Sequence, residues 1–316
     1  MQTVSTTERA TPFARPVSGR RGADWRRLLT IGAFLLPAAA VYSLFVLFPL
    51  IQAGYYGLYK WNGLGPLETY VGLDNFRRVL NDEIFRKAFQ HNLIILALSL
   101  TIQLPLALGL ALLVRRGMRG RAFFRTVFFL PYVLSEVVTA IIWSFIYHPQ
   151  SGLNSLLGAI IPGYQARGWL GDTNTVLYAI FVVITWKFLG FHFILYLAGL
   201  QGIPPELEEA AMIDGASSKR AIWNITLPLL KPTIALSVFL SVLGSLQFFD
   251  LIWVMTTGGP VNASETMATY MYKYSFQRFA LGYGAAVSLV IFAICFGFSL
   301  LYQGLVMRRQ FAQSLI

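Results

Sequence analysis

The chain has 316 residues, is 56% hydrophobic and only 12% charged, and has a mean hydropathy of +0.60. Soluble domains carry about 25% charged residues, so an ordinary soluble enzyme is excluded, and 25 Phe, 15 Tyr and 7 Trp exclude a disordered chain. What remains is an all-α membrane protein that crosses the bilayer several times.

In chain order, residues 1–27 read as a disordered cytoplasmic tail rich in Thr, Ser and Arg. The first span is expected at about 29–54, inside a charge-free run. Arg26-Arg27 ahead of this run, with Ala38-Ala39-Ala40 inside it, imitates a signal peptide and its cleavage site. The run is longer than the ~7–15 apolar residues of a cleaved leader, so an uncleaved span is expected. Residues 75–90 (NFRRVLNDEIFRKAFQ) place Phe76, Val79, Leu80, Ile84, Phe85 and Phe89 at helical spacing, which predicts a helix lying on the outer membrane face.

Five more spans are expected, at about 91–114, 126–147, 175–200, 232–255 and 283–306. Each is close to or above the ~20 apolar residues that a bilayer-crossing helix needs. Three of them carry one ionisable residue each: Glu136, Lys187 and Asp250. Such residues cost about 2.5–3.5 kcal/mol on insertion scales and usually face a bundle interior or a water-filled path, so the path is expected beside spans three to five. Between the spans, residues 152–163 predict a short, partly apolar element, and Gly258-Gly259-Pro260 a turn.

Basic residues orient the chain. The tail (Arg9, Arg15, Arg20, Arg21, Arg26, Arg27), the loop after span two (Arg115, Arg116, Arg119, Arg121, Arg125), the loop after span four (Lys219, Arg220, Lys231) and the C-terminus (Arg308, Arg309) share one side. They outnumber the opposite set of Lys60, Arg77, Arg78, Arg86, Lys87, Arg167, Lys273 and Arg278. Both termini are therefore expected in the cytoplasm, with 311–316 a short tail there. This bias accounts for the net charge of +11 without nucleic acid.

Missing motifs are also informative. No Gly-Lys dipeptide occurs, so a Walker A loop is impossible. The single cysteine, Cys295, permits no internal disulfide, and His91, His148 and His192 are too scattered for a zinc site of usual spacing. No G-x-S-x-G or H-E-x-x-H is present. No catalytic residue, metal or cofactor is expected on this chain.

The most specific segment is GIPPELEEAAMIDGASSKRAIWNITLP, from Gly202 to Pro228. Pro204 and Pro205 open a first short helix, with Glu206, Glu208 and Glu209 where the macrodipole favours carboxylates. Asp214-Gly215 stops it, and Ser217 caps a second helix. Leu207, Ala210, Ala211 and Ile213 leave a surface of mostly small apolar residues. The hairpin suits a rigid docking knob as well as it suits a connector.

Glu209-Ala210-Ala211, then Gly215, then Ile225 and Leu227-Pro228 fit the EAA loop of bacterial ABC importer permeases at every position. The chain resembles the sugar branch of that family, similar to the maltose and glycerol-phosphate permeases, over roughly residues 28–310. Leu130-Pro131-Tyr132, Trp186, the run from Ala198 to Pro204, and FFDLIWVMTTGGP from Phe248 to Pro260 carry the rest of the likeness. The resemblance implies six transmembrane helices in the type I importer fold, a permease domain over 28–310 with its EAA loop at about 203–228, and a place in the bacterial inner membrane. It implies a second permease subunit, two ATPase subunits that bind ATP and Mg, and an extracytoplasmic solute-binding protein. It assigns coupling to Glu209, Ala210, Ala211, Asp214 and Gly215. It places a solute site for a di- or oligosaccharide at Lys187, Phe188, Phe191, Ser241, Gly244, Ser245 and Phe248. Of these, Ser241, Gly244, Ser245 and Phe248 share one helix face by spacing alone, a face that helix packing would also explain. Ser245 and Phe248 replace amides of the maltose pattern, which separates this chain from maltose itself. The alternative is an ion- or proton-coupled carrier using Glu136, Lys187 and Asp250, although the inverted repeats of such carriers are not evident. A membrane-embedded enzyme is a third reading and lacks a catalytic cluster.

Overall fold

The computed structural model describes residues 25–114 and 118–307, and these divide between Ile51 and Gln52 into two units. The tail up to residue 24, Arg115 and Arg116, and the C-terminal tail lie outside the described residues. Among the described residues every regular element is helical.

The first helix, α1 (Trp25–Tyr42), starts slightly inside the expected tail and continues through a π turn (Ser43–Leu47) into α2 (Phe48–Gly57). Together they make the apolar helix Leu29–Gly57, with mean hydropathy 2.2 and none of its strongest window buried. Such a helix is stable only against lipid or other protein.

The surface helix expected over 75–90 is instead two helices. Asp82 interrupts it, because its carboxylate accepts the amides of Ile84 (2.9 Å) and Phe85 (3.0 Å) and so caps a new helix. The first piece is α3 (Asp74–Asn81). The second, α4 (Glu83–Leu98), runs through a π turn (Ser99–Gln103) into α5 (Leu104–Leu113), making a span that begins at Glu83. Val79 and Phe85 are buried in the core, while Leu80 is exposed. The apolar side of this segment packs on protein and does not simply rest on lipid.

The third span is broken. Helices α6 (Arg121–Val133) and α7 (Glu136–Ile146) meet at 97°. Leu134 and Ser135 are extended, and the Ser135 hydroxyl accepts the amide of Val138 at 3.2 Å to start the new helix. The short element expected at 152–163 is α8 (Leu153–Ile160). Within it Asn154 staples the following loop: its Oδ1 accepts from Tyr164 Oη (2.8 Å), Trp169 Nε1 (3.0 Å) and the Arg167 amide (3.2 Å).

The centre is α9 (Val176–Gln201), with buried residues along its whole length. It packs against α5 and α6. Two glycines permit close approach. A Cβ on Gly190 would enter the backbone of Phe128, and one on Gly199 would meet Thr233 and Leu230. The hairpin follows as α10 (Pro205–Ile213) and α11 (Ser218–Ala221). A π turn (Ile222–Thr226) then leads into α12 (Leu227–Leu246). The fifth span is also interrupted, at 247–249, before α13 (Asp250–Thr256). Last come α14 (Met267–Tyr272) and α15 (Leu281–Tyr302). Among the described residues, five helices are long and apolar enough to cross a membrane, or six if the bent pair is one span.

Candidate functional site

Both interruptions open onto one cavity of about 330 Å³. Broken helices are tolerated at membrane depth where their free backbone is buried in protein or lines such a space. Six of the seven residues expected at the solute site line it: Phe188 and Phe191 from α9, Ser241, Gly244 and Ser245 from α12, and Phe248 from the break. The i, i+3, i+4 pattern on α12 thus faces the cavity.

Lys187 is not among the residues that line it. Its ammonium instead donates to the main-chain carbonyl of Leu134, and at 3.5 Å to that of Tyr132. These carbonyls end α6, where no intrahelical donor remains. Among the described residues no ion pair joins Lys187 to Glu136.

The wall is aromatic. Tyr132 stacks on Phe191 with centroids 5.2 Å apart, and Phe188 meets Phe248 edge-on at 5.7 Å. Polar groups come from the π turn of the second span (Ser99, Gln103), from α9 (His192) and from the second break (Gln247). His192 Nδ1 lies 2.8 Å from Ser237 Oγ, a buried pair. Glu136 and Asp250 line the cavity as the first residues of α7 and α13, where helix amides and dipole favour a carboxylate. Asp250 is therefore a lining residue as well as an end-of-span residue. The sequence reading left Ser99, Gln103 and Tyr132 out of the site, since no spacing links them to α12. The arrangement suits a solute with apolar faces and hydroxyls. Among the described residues no group of three or more His, Cys, Asp or Glu could hold a metal.

Beyond the cavity, a network joins α4, α12 and α14. Asn92, fully buried, donates to the Ser245 carbonyl at 2.6 Å and accepts the Met267 amide at 3.0 Å. Glu265, also fully buried, pairs with Lys273 and accepts from Thr269 Oγ1 at 2.9 Å. Gly258 has φ +81, and a Cβ there would run into this ion pair. The sequence reading noted the Gly258 turn but not the pair behind it.

The hairpin α10–α11 takes the expected form. Pro205 is its first helical residue. Gly215 has φ +84, and the amides of Gly215 and Ala216 return to the carbonyls of Met212 (3.1 Å) and Ala211 (2.9 Å), a Schellman stop. The Ser217 hydroxyl accepts the Arg220 amide at 3.4 Å. Glu208 accepts a hydrogen bond from the buried Thr226 hydroxyl at 2.5 Å, which ties the hairpin to the root of α12. Glu209, Ala210, Asp214 and Gly215 are exposed and Ala211 is half-buried. Ile213 and Trp223, 86% and 71% exposed, add apolar surface beside them.

Residues 103–310 match the binding-protein-dependent transport system inner membrane component family. The chain belongs to this family. It is accordingly a multi-pass permease of the inner membrane. It is 35% identical to the probable ABC transporter permease YurN of Bacillus subtilis, across 85% of this chain and 92% of that one. It is 32% identical to the diacetylchitobiose uptake system permease NgcF of Streptomyces coelicolor, across 95% and 90%. Its fold is similar to a chain of the bacterial alginate ABC transporter crystallised with its alginate pentasaccharide-bound periplasmic protein, at a TM-score of 0.79, 25% identity and coverage of 92% and 98%. Membership in a binding-protein-dependent family does not favour the free-standing carrier reading of Glu136, Lys187 and Asp250.

Proposed function

We propose that this permease forms half of the translocation path of an ATP-driven importer for a di- or oligosaccharide. A second permease subunit completes the path, an extracytoplasmic binding protein delivers the sugar, and two ATPase subunits bind ATP and Mg. Both termini face the cytoplasm, as the distribution of Arg and Lys requires. The observation that carries the reading is the cavity at the two helix breaks. It combines an aromatic wall (Tyr132, Phe188, Phe191, Phe248) with small polar positions (Ser241, Gly244, Ser245). Aromatic faces suit the C–H faces of sugar rings, and the hydroxyls suit their edges. The relatives that handle diacetylchitobiose and alginate support the substrate class.

Coupling is assigned to the α10–α11 hairpin. Glu209, Ala210, Ala211, Asp214 and Gly215 form a capped, exposed knob that the Glu208–Thr226 hydrogen bond joins to α12, the helix that lines the cavity. A push on the knob therefore reaches the solute site through one short connection.

The test is sugar uptake and ATP hydrolysis by the complete transporter in proteoliposomes, with Glu209→Lys as the variant. The expected result is intact insertion with lost uptake, through either uncoupled hydrolysis or loss of the ATPase. Normal uptake by this variant would overturn the coupling role. Failure of the wild-type transporter to move any saccharide would overturn the substrate class.

A further inference from the structure

We infer that the cavity selects an uncharged sugar, and that the side-chain amide of Gln103 donates a hydrogen bond to it. The inference rests on the importer reading and narrows it. Gln103 closes the π turn of the second span, is 2% exposed, and lines the cavity. Its Nε2 has no hydrogen-bond partner. A buried amide donor without an acceptor is costly and rare in a native interior. A solute hydroxyl or ring oxygen in the cavity satisfies it.

Charge settles the rest of the class. Glu136 and Asp250 line the cavity, and among the described residues no Lys or Arg does. The one lysine nearby, Lys187, is engaged by the carbonyls of Leu134 and Tyr132. A uronate or phosphate would meet two carboxylates in a low-dielectric space, with only the single ammonium of Lys187, behind the Tyr132 and Phe188 rings, to offset them. The carboxylates do not call for a cationic solute either, because the Lys187 ammonium behind the Tyr132 and Phe188 rings already offsets part of their charge. This separates the chain from its structural relative that imports alginate, an acidic polysaccharide.

The experiment uses the intact transporter in nanodiscs without the binding protein, so that the path alone selects. Neutral trisaccharides, their uronic-acid counterparts and their amino-sugar counterparts are titrated against it. Neutral sugars are expected to bind at least tenfold more tightly than either charged class. Gln103→Leu should weaken neutral binding about tenfold, with Gln103→Asn losing less. Glu136→Gln with Asp250→Asn should bring uronate binding to within a few-fold of neutral. Uronate or amino-sugar binding as tight as neutral binding in the wild type overturns the inference and leaves the importer reading standing. Unchanged neutral binding in a folded Gln103→Leu transporter overturns the role of Gln103. If no saccharide of any class binds, the inference and the sugar reading both fail.

Discussion

Lys187 of α9 donates a hydrogen bond to the main-chain carbonyl of Leu134, at the point where α6 gives way to α7. The charge therefore closes a helix end and does not line the cavity. The last carbonyls of any helix lack intrahelical donors, and inside a bilayer water does not supply them. A lysine on the neighbouring helix answers that need, and the 97° bend places the carbonyls within its reach.

Lys187→Met keeps the length of the side chain and removes the donor. The carbonyls of Leu134 and Tyr132 lose a partner, at a cost of about 1–3 kcal/mol. The expected outcome is a melting temperature several degrees lower in detergent, with solute affinity within twofold of wild type. A tenfold loss of affinity at unchanged melting temperature would make Lys187 a ligand after all.

The Glu265–Lys273 pair makes a second prediction. Glu265 has no exposure, and Lys273 and the Thr269 hydroxyl bond its carboxylate. Lys273→Met leaves a buried carboxylate unpaired and should destabilise the fold by about 3–5 kcal/mol. The double change Glu265→Gln with Lys273→Met should recover part of that loss, because neither charge then remains. Thermal unfolding of the three variants checks the order. A double variant less stable than Lys273→Met alone would contradict it.

These contacts also show what the sequence revealed. The spans were legible because charge-free runs are long, and the hairpin was legible because Pro205, Gly215 and Ser217 act on their immediate neighbours. The α12 face was legible because Ser241, Gly244 and Ser245 follow helical spacing. The break at Gln247 was not legible, because it lies in an apolar run that gives no sign of an end. The contact across the other break was hidden by distance, since Leu134 and Lys187 are 53 residues apart. Gln103 was hidden for the same reason, because a π turn and a neighbouring helix bring it to the cavity. Asp82 ahead of Glu83 and Ser135 ahead of Glu136 are local cap signals, and the apolar residues on both sides of each obscured the break.

Gly215 supplies a third prediction, about coupling. Its φ of +84 is strained for a side chain, yet nothing lies within 4 Å of a Cβ built there. The cost of substitution is therefore conformational and not steric. Asn, which tolerates this region, should be mild, while Val should cost ~1 kcal/mol or more and loosen the Schellman stop. Uptake per ATP hydrolysed should rank wild type, then Gly215→Asn, then Gly215→Val. Equal efficiency in all three would show that the shape of the turn does not matter to coupling.

Asn92 makes the last prediction, which joins stability to the site. It is fully buried and holds two elements at once, the Ser245 carbonyl at the cavity end of α12 and the Met267 amide that begins α14. Asn92→Leu has similar volume and satisfies neither group, leaving two buried backbone orphans at about 1–3 kcal/mol each. Asn92→Asp still accepts from Met267 but offers Ser245 a repelling oxygen and adds a buried charge. Both variants should melt earlier than wild type. Because Ser245 lines the cavity, both should also bind solute several-fold more weakly, unlike Lys187→Met. Thermal unfolding and solute titration on the same preparations separate the two effects. A loss of stability without any loss of affinity would mean that the end of α12 holds its position without Asn92.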